Sequence, residues 1–136
     1  MIRAVLVCHG ELSAALLTSA EEIVGHIPEV ICISNRGKSP EIVRQEIIHA
    51  AGESAGLSGV LVMADLFGSS CWRCAMEAAR VGTGVPMAVV TGVNLGMLLS
   101  FSQKRDSMDF PTLASTMAED GRRGINGPVF SSEGRT

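Results

Sequence analysis

The sequence predicts an α/β fold in which helices cover both faces of an open, mostly parallel sheet. Apolar runs of strand length alternate with amphipathic helical patterns, which is the order of βαβ units with right-handed crossovers. The runs are almost entirely apolar, as expected for strands that are buried on both faces. The chain has 136 residues, a length at which one domain buries roughly two thirds of its unfolded surface. We expect a single domain over residues 1–130.

The first half of the chain contains two strand–helix units. An apolar run ends just before His9, and the amphipathic pattern that follows ends where Gly25 and Pro28 interrupt it. In the second unit, Ser39 has the side chain of a helix N-cap and Pro40 suits the first helical position. The pattern predicts strands at residues 3–8 and 30–34 and helices at residues 12–26 and 40–54.

The second half continues this alternation and then changes character. A third apolar run ends before Asp65, and a fourth is followed by a loop whose Asn94 can cap the next helix. Asp109 marks a further helix start. The pattern predicts strands at residues 59–64 and 87–91, a helix at 70–81, a helix extending toward 104 and a helix ending within 121–124. Residues 125–130 could form a short edge strand, and residues 131–136 have the composition of a disordered tail.

The composition excludes several classes of function. The net charge is −3 and the 11 Lys and Arg residues are scattered, so no surface for nucleic acid is expected. No segment approaches the roughly 20 apolar residues of a membrane span, and the apolar run before His9 is too short for a signal peptide. We therefore expect a cytoplasmic protein without membrane insertion, whose 4 cysteines stay reduced and pack in the core.

Two polar residues follow strands that can be neighbours in the predicted sheet. His9 comes directly after the first strand and Asp65 directly after the third. The carboxyl ends of parallel strands lie at one edge of the sheet, where open α/β folds hold their ligands. If the two strands are adjacent, the side chains of His9 and Asp65 meet at that edge.

A histidine beside a carboxylate can accept a phosphoryl group. One ring nitrogen must be deprotonated and exposed, while the carboxylate holds the other nitrogen, fixes the tautomer and stabilises the positive charge that develops. Gly68, Ser69 and Ser70 would present N–H groups and hydroxyls to phosphoryl oxygens at a helix N-terminus. This chemistry needs no metal and no cofactor. The simpler interpretation is that His9 only ends a strand and Asp65 only caps a helix.

Three motifs carry a resemblance to a known family. They are Cys-His-Gly at 8–10, Asp-Leu-Phe-Gly-Ser-Ser at 65–70 and Gly-Val-Asn-Leu-Gly-Met-Leu at 92–98. With them the chain resembles, over residues 2–127, the IIA component of the mannose family of the bacterial phosphotransferase system (PTS). The resemblance implies four parallel strands plus one antiparallel edge strand, which is exchanged between the subunits of a homodimer. Residues 125–130 are the candidate for that strand.

The resemblance also implies a role as a phosphocarrier. His9 would take a phosphoryl group from phospho-HPr, becoming a tele-phosphohistidine, and would pass it to a IIB protein. Asp65 would hydrogen-bond and orient the histidine. Apolar side chains near the site would form a rim on which these protein partners dock, consisting of Leu66, Phe67, Leu95 and Met97.

The chain departs from the family pattern at several positions. The family usually has Gly-Gly-Ser-Pro where this chain has Gly-Ser-Ser-Cys at 68–71, and proline where Gly96 stands. The departure creates a C-x-x-C motif at a helix start, Cys71 to Cys74, which leaves a thiol redox protein as an alternative. The remaining cysteines and histidines offer no second closely spaced ligand pair, so zinc binding is not expected.

The destination of the phosphoryl group stays open at this level. The protein could serve sugar uptake, act as a stand-alone regulatory IIA protein whose phosphorylation reports nutrient supply, or be the phosphoryl donor subunit of a dihydroxyacetone kinase. Neighbouring genes for IIB, IIC and IID would favour transport, and neighbouring kinase genes would favour the donor subunit. The sequence does not identify the sugar.

Overall fold

The structure is a computed structural model that describes residues 1–52 and 56–132. Strands and helices alternate over most of this length, in the order predicted from the sequence. The elements are β1 (Ile2–Cys8), α1 (Leu12–Val24), β2 (Val30–Ser34), α2 (Pro40–Gly52), β3 (Gly59–Ala64), α3 (Ser70–Val81), β4 (Met87–Val90), α4 (Leu95–Lys104) and α5 (Phe110–Arg123).

The four strands form one parallel sheet in the order β2-β1-β3-β4. In its register Leu6 lies beside Cys32 on one side and Met63 on the other, and Met63 lies beside Val90. Because β1 and β3 are adjacent and parallel, the residues that follow them lie at the same edge. The predicted α/β fold class with an open, mostly parallel sheet is confirmed.

Two apolar layers cover the sheet, one on each face. Residues of α1, α4 and α5 pack on the face that carries Leu6 and Met63, with Phe101 at the centre of that layer. Residues of α2 and α3 pack on the face that carries Val5 and Val62. All residues of β1 and β3 are buried, which accounts for their continuous apolar runs. The loops at the carboxyl edge therefore extend from a rigid, fully packed centre.

Polar side chains cap the helices that begin near this edge. Ser69 accepts the N–H of Trp72 at the start of α3, and Asn94 accepts the N–H of Met97 at the start of α4. Ser39 accepts the N–H of Ile42 at 3.3 Å, as its sequence position predicted. These caps fix where each helix begins and hence the course of the loops before them.

Some boundaries differ from those predicted. Helix α1 ends at Val24 rather than at residue 26, because Gly25 adopts a φ of +85° that an α-helix does not contain. In the structure of the single chain, residues 125–130 do not join the sheet. The antiparallel edge strand and its exchange in a dimer therefore stay predictions. The predicted helix end at residue 54 and residues 133–136 of the predicted tail lie outside the described residues.

None of the helices within residues 1–52 and 56–132 is both long and apolar enough to cross a membrane.

Candidate active site

Three loops meet at the carboxyl edge of the sheet. His9 follows β1, Asp65 follows β3, and Val93 lies in the loop after β4. The N–H of Val93 donates to the carbonyl oxygen of Ala64 at 3.1 Å, and the N–H of Asn35 donates to that of Cys8 at 3.3 Å. These bonds tie the loops after β4 and β2 to the ends of the two central strands. The site is therefore held by backbone contacts as well as by side chains.

The structure brings His9 and Asp65 together, as the strand positions predicted. The ring Nδ1 of His9 lies 2.9 Å from Oδ2 and 3.1 Å from Oδ1 of Asp65. The backbone N–H of His9 also donates to Oδ2 at 2.8 Å. The carboxylate thus fixes the tautomer with a proton on Nδ1 and orients the ring. The imidazole is 45% exposed while the carboxylate is only 11% exposed, so the ring is presented to solvent on a buried anchor.

The backbone after His9 is held by the loop that follows β2. The N–H of Gly10 donates to Oδ1 of Asn35 at 3.2 Å, and its carbonyl oxygen accepts from the Ser34 hydroxyl at 2.6 Å. Gly10 has a φ of +59°, and a Cβ there would lie 2.9 Å from the guanidinium of Arg36. Any side chain at residue 10 would therefore displace Arg36. The sequence does contain an indication of these contacts, because Asn35 directly follows β2 and so lies at the same carboxyl edge of the sheet as His9.

In the loop from Gly68 to Ser70, Ser69 makes its hydrogen bonds with neighbouring residues of the same segment. The hydroxyl of Ser69 donates to the carbonyl oxygen of Leu66 at 2.7 Å and accepts the Trp72 N–H at 3.4 Å. The backbone N–H of Ser69 donates to the same Leu66 oxygen at 3.3 Å. Ser69 therefore shapes the loop and caps α3. Ser70 is the first residue of α3, where N–H groups have no acceptor within the helix.

Cys71 is a member of the site that the sequence analysis did not assign to it. Its Sγ lies 3.7 Å from Nδ1 of His9, and the residue is 1% exposed. Burial, with the negative charge of Asp65 as the second cause, raises the pKa of Cys71 to about 11. The contact between Cys71 and His9 depends on the direction of the Cys71 side chain in the first turn of α3, which the sequence does not show.

The redox alternative is not supported by the two thiols of the C-x-x-C motif. A redox-active cysteine needs a lowered pKa, because the thiolate is the reactive form. Burial is the largest cause that raises the pKa of both Cys71 and Cys74. Cys74 is also buried, and its Sγ–H donates to the carbonyl oxygen of Pro40 at 3.3 Å. Both thiols are therefore protonated and enclosed at neutral pH.

The four residues predicted to form the docking rim differ in their exposure. Leu66 and Phe67 are exposed, and the Phe67 ring packs on that of Trp72 with 4.9 Å between centroids. Leu95 is half-buried. Met97 was assigned wrongly, because it is 1% exposed and lies in the core beneath α4, where α5 packs against it. Its side chain cannot contact a docking protein.

Two solved structures with the same fold are described as parts of a phosphotransferase system. Component EIIA from Streptococcus agalactiae is 26% identical, with a TM-score of 0.85 over 93% of this chain and 97% of that one. The mannose/sorbose specific IIA subunit from Enterococcus faecalis is 20% identical, with a TM-score of 0.78 over 96% of each chain. At that lower identity the likeness shows the fold alone.

The family comparison extends this likeness to the sequence. No curated protein matches the chain. A family model, EIIA-man, described as the PTS system fructose IIA component, matches residues 3–118. That stretch contains β1 to β4 and the loops that carry His9, Asp65 and Cys71. The chain therefore belongs to the EIIA-man family of IIA components of the sugar phosphotransferase system.

Proposed function

We propose that the protein is a cytoplasmic histidine phosphocarrier that accepts a phosphoryl group from phospho-HPr on Nε2 of His9. It then passes the group to a IIB component for sugar uptake. Membership of the family implies phosphotransfer in general. The observation that carries the specific assignment is the pair formed by Nδ1 of His9 and the Asp65 carboxylate at 2.9 Å.

The geometry supports attack by Nε2. With the proton on Nδ1 held by Asp65, Nε2 carries the lone pair of the neutral ring. As the Nε2–P bond forms, the P–N bond to the donor histidine breaks and that histidine keeps the electron pair. Positive charge then develops on the His9 ring, and the adjacent carboxylate stabilises it without accepting a proton. Transfer to IIB is the same step in reverse, so neither direction requires a metal or a net proton transfer.

The start of α3 supports a place for the phosphoryl oxygens. The positive end of the helix dipole and the N–H groups of its first turn favour an anion. Gly68 and Ser70 lie on either side of the capping residue Ser69, and Gly68 has a φ of +81°. We assign the contacts to phosphoryl oxygens to the backbone of Gly68 and Ser70. Ser69 contributes by holding the loop, since its own donors are directed at Leu66.

The surface beside His9 supports brief docking of another protein. Leu66 and Phe67 follow Asp65 directly and expose most of their side chains. Exposed aromatic and apolar residues of this kind are typical anchors at protein interfaces. The imidazole of His9 is itself 45% exposed, which leaves it open to approach by a donor histidine. We propose this patch as the docking surface for both HPr and IIB.

Intact mass after incubation with Enzyme I, HPr and phosphoenolpyruvate tests the proposal. The wild type should gain one acid-labile phosphoryl group, and His9→Ala should gain none. His26→Ala is a matched control, because Nδ1 of His26 lies 3.0 Å from Oε2 of Glu21 in a comparable exposed pair. Glu21 lies in α1 and His26 follows that helix, before β2 begins, so the pair is not at the carboxyl edge of the sheet. Loss of the phosphoryl group in His26→Ala but not in His9→Ala would contradict the assignment.

A further inference from the structure

The side chains of His9, Asp65 and Cys71 form a group of three possible metal ligands. The ring nitrogen, a carboxylate oxygen and the thiol sulfur all lie within 4.8 Å of one another. Asp65 follows β3 and Cys71 lies in the first turn of α3, whereas His9 follows β1 and is distant from both in the sequence. Phosphocarrier chemistry uses the histidine and the carboxylate but gives no role to the sulfur.

The distance between the nitrogen and the sulfur matches that of a tetrahedral zinc site. Zn–N bonds of about 2.0–2.1 Å and Zn–S bonds of about 2.3 Å place nitrogen and sulfur about 3.6 Å apart at a tetrahedral angle. Nδ1 of His9 and Sγ of Cys71 are 3.7 Å apart. Zn–O bonds of about 2.0–2.2 Å similarly require about 3.4 Å between nitrogen and oxygen. The 2.9 and 3.1 Å found between Nδ1 and the Asp65 oxygens would need only a small expansion.

The surroundings favour a bound cation as well. The Asp65 carboxylate is oriented by the backbone N–H of His9, the kind of outer contact that positions metal ligands. Cys71 is buried, so it has a fixed side-chain position, whereas the exposed ring of His9 leaves an approach from solvent. Imidazole, carboxylate and thiolate together are a ligand set that Zn²⁺ accepts, with water in the fourth position.

We propose that His9, Asp65 and Cys71 bind Zn²⁺ and that the bound ion prevents His9 from accepting a phosphoryl group. Metal binding at Nδ1 moves the ring proton to Nε2, and the thiol proton of Cys71 is released to solvent. Nε2 then has no lone pair with which to attack phosphorus. The metal site stands on the geometry alone, whereas the inhibition rests on the proposed phosphocarrier function.

Zinc binding can be measured on the unphosphorylated protein, without any transfer reaction. Competition for Zn²⁺ against a chromophoric chelator should give one site per chain in the wild type. Cys71→Ser and His9→Ala should each weaken that site tenfold or more, since even outer-shell changes cost about 10–100-fold in affinity. Cys71→Ala tests the same ligand without burying a hydroxyl. Thermal unfolding of each variant confirms that it is folded.

Two matched controls address binding elsewhere. Cys74→Ser removes the other buried thiol of the same helix, whose sulfur donates to Pro40. His26→Ala removes the exposed histidine paired with Glu21. Both should bind Zn²⁺ as the wild type does. Co²⁺ should show a thiolate-to-metal charge-transfer band that only the Cys71 variants lose. No site in the wild type, or equal affinity in Cys71→Ser and Cys74→Ser, would overturn the proposal.

The inhibition is measured with purified phospho-HPr as donor, so that Enzyme I is not exposed to the metal. Saturating Zn²⁺ should slow phosphorylation of the wild type tenfold or more relative to its own zinc-free rate. The same ratio should be near one for Cys71→Ser. An unchanged rate in the zinc-loaded wild type would overturn the inhibition. Failure of the phosphocarrier function would appear separately, as no transfer in the zinc-free wild type, and the binding assay decides the metal site in either case.

Discussion

Asp65 holds two groups of His9 at once, the ring Nδ1 and the backbone N–H. An asparagine can keep one of these contacts but not the negative charge. Hydrogen bonds to charged groups contribute about 1.5–3 kcal/mol, which corresponds to roughly 10- to 100-fold in rate. Asp65→Asn should therefore phosphorylate His9 10- to 100-fold more slowly than the wild type, in single-turnover assays with phospho-HPr. Transfer at the wild-type rate would show that the carboxylate charge has no part in the step.

Buried thiols beside that carboxylate make stability depend on alkaline pH. Burial, with the charge of Asp65 as second cause, raises the pKa of Cys8 to about 12 and that of Cys71 to about 11. An unfolded thiol ionises near pH 8.5. Above this pH, ionisation therefore stabilises the unfolded state relative to the folded state. The contribution of these thiols to the free energy of unfolding should be constant below this pH. Above it, the free energy of unfolding should fall by about 1.4 kcal/mol per pH unit for each thiol, until the pH passes the pKa of that thiol in the folded state.

Urea unfolding between pH 8 and pH 10.5 measures that slope. Cys71→Ala removes one of the two thiols and should show a shallower loss of stability with pH than the wild type, whatever its stability at pH 8. Parallel slopes for the two proteins would contradict the raised pKa of Cys71.

At the scale of elements, the approach of α5 to α4 holds the third loop of the site. Nδ2 of Asn94, the N-cap of α4, donates to the carbonyl oxygen of Gly121 in α5 at 3.1 Å. A Cβ at Gly121 would lie 2.8 Å from the buried side chain of Met97. A Cβ at this position would therefore push the Met97 side chain aside. The position of the loop before α4 depends on the packing of a helix that contributes no residue to the chemistry.

Gly121→Ala tests this packing. Over-packing a core costs about 1–3 kcal/mol, against about 1 kcal/mol gained by replacing glycine in a helix. We expect a net loss of about 1 kcal/mol in urea unfolding. Gly52→Ala is the control, because a Cβ at that end of α2 has no neighbour within 4 Å. If both variants are stabilised equally, the close contact with Met97 is absent.

The sequence predicted the elements of the site better than its side-chain contacts. The pairing of His9 with Asp65 was predictable, because parallel strands bring their carboxyl ends to one edge. The approach of Cys71 was not, since it depends on how the loop after β3 directs the first turn of α3. The assignment of Met97 to the docking rim was wrong, because the pattern of an apolar helix does not show which of its sides the next helix covers.

Helix α1 also shows that the spacing of apolar residues does not predict every buried residue of a helix. Apolar residues recur at helical spacing along α1, which predicts one buried face consisting of Leu12, Leu16, Ala20, Ile23 and Val24. The structure buries Ala20 and packs Leu16 against the core, as predicted, but it also buries Ser13 and leaves Leu12, Ile23 and Val24 exposed. The hydroxyl of Ser13 donates to the carbonyl oxygen of Ile33 in β2 at 3.4 Å, which gives this buried polar group a partner. The spacing of apolar residues does not reveal such a contact.

At the scale of the whole molecule, the open edge of β4 and the segment after α5 suggest a dimer. In the described part of the chain, β4 pairs only with β3. A cavity of about 370 Å³ beside it is lined by Val89, Thr91 and Ile125 among others. Beyond it, Val129 is 91% exposed and Phe130 is also exposed. Unpaired edges and exposed apolar residues are both typically covered by another chain.

Light scattering tests the predicted dimer. The wild type should have the mass of two chains, and the double variant Val129→Asp with Phe130→Asp should have the mass of one. Val81→Asp, at an exposed apolar position at the end of α3, should remain dimeric. A monomeric wild type at tens of micromolar would contradict the exchange of residues 125–130 between subunits.

The central claim is that Asp65 keeps the proton on Nδ1 of His9 so that Nε2 accepts the phosphoryl group. Nitrogen-15 NMR of histidine-labelled protein tests it most directly, with the other rings assigned from His26→Ala and His49→Ala. Before the reaction, His9 should carry its proton on Nδ1. After phosphorylation, coupling to phosphorus should appear at Nε2 of His9 alone. Phosphorus on Nδ1 of His9, or on either of the other histidines, would contradict the account.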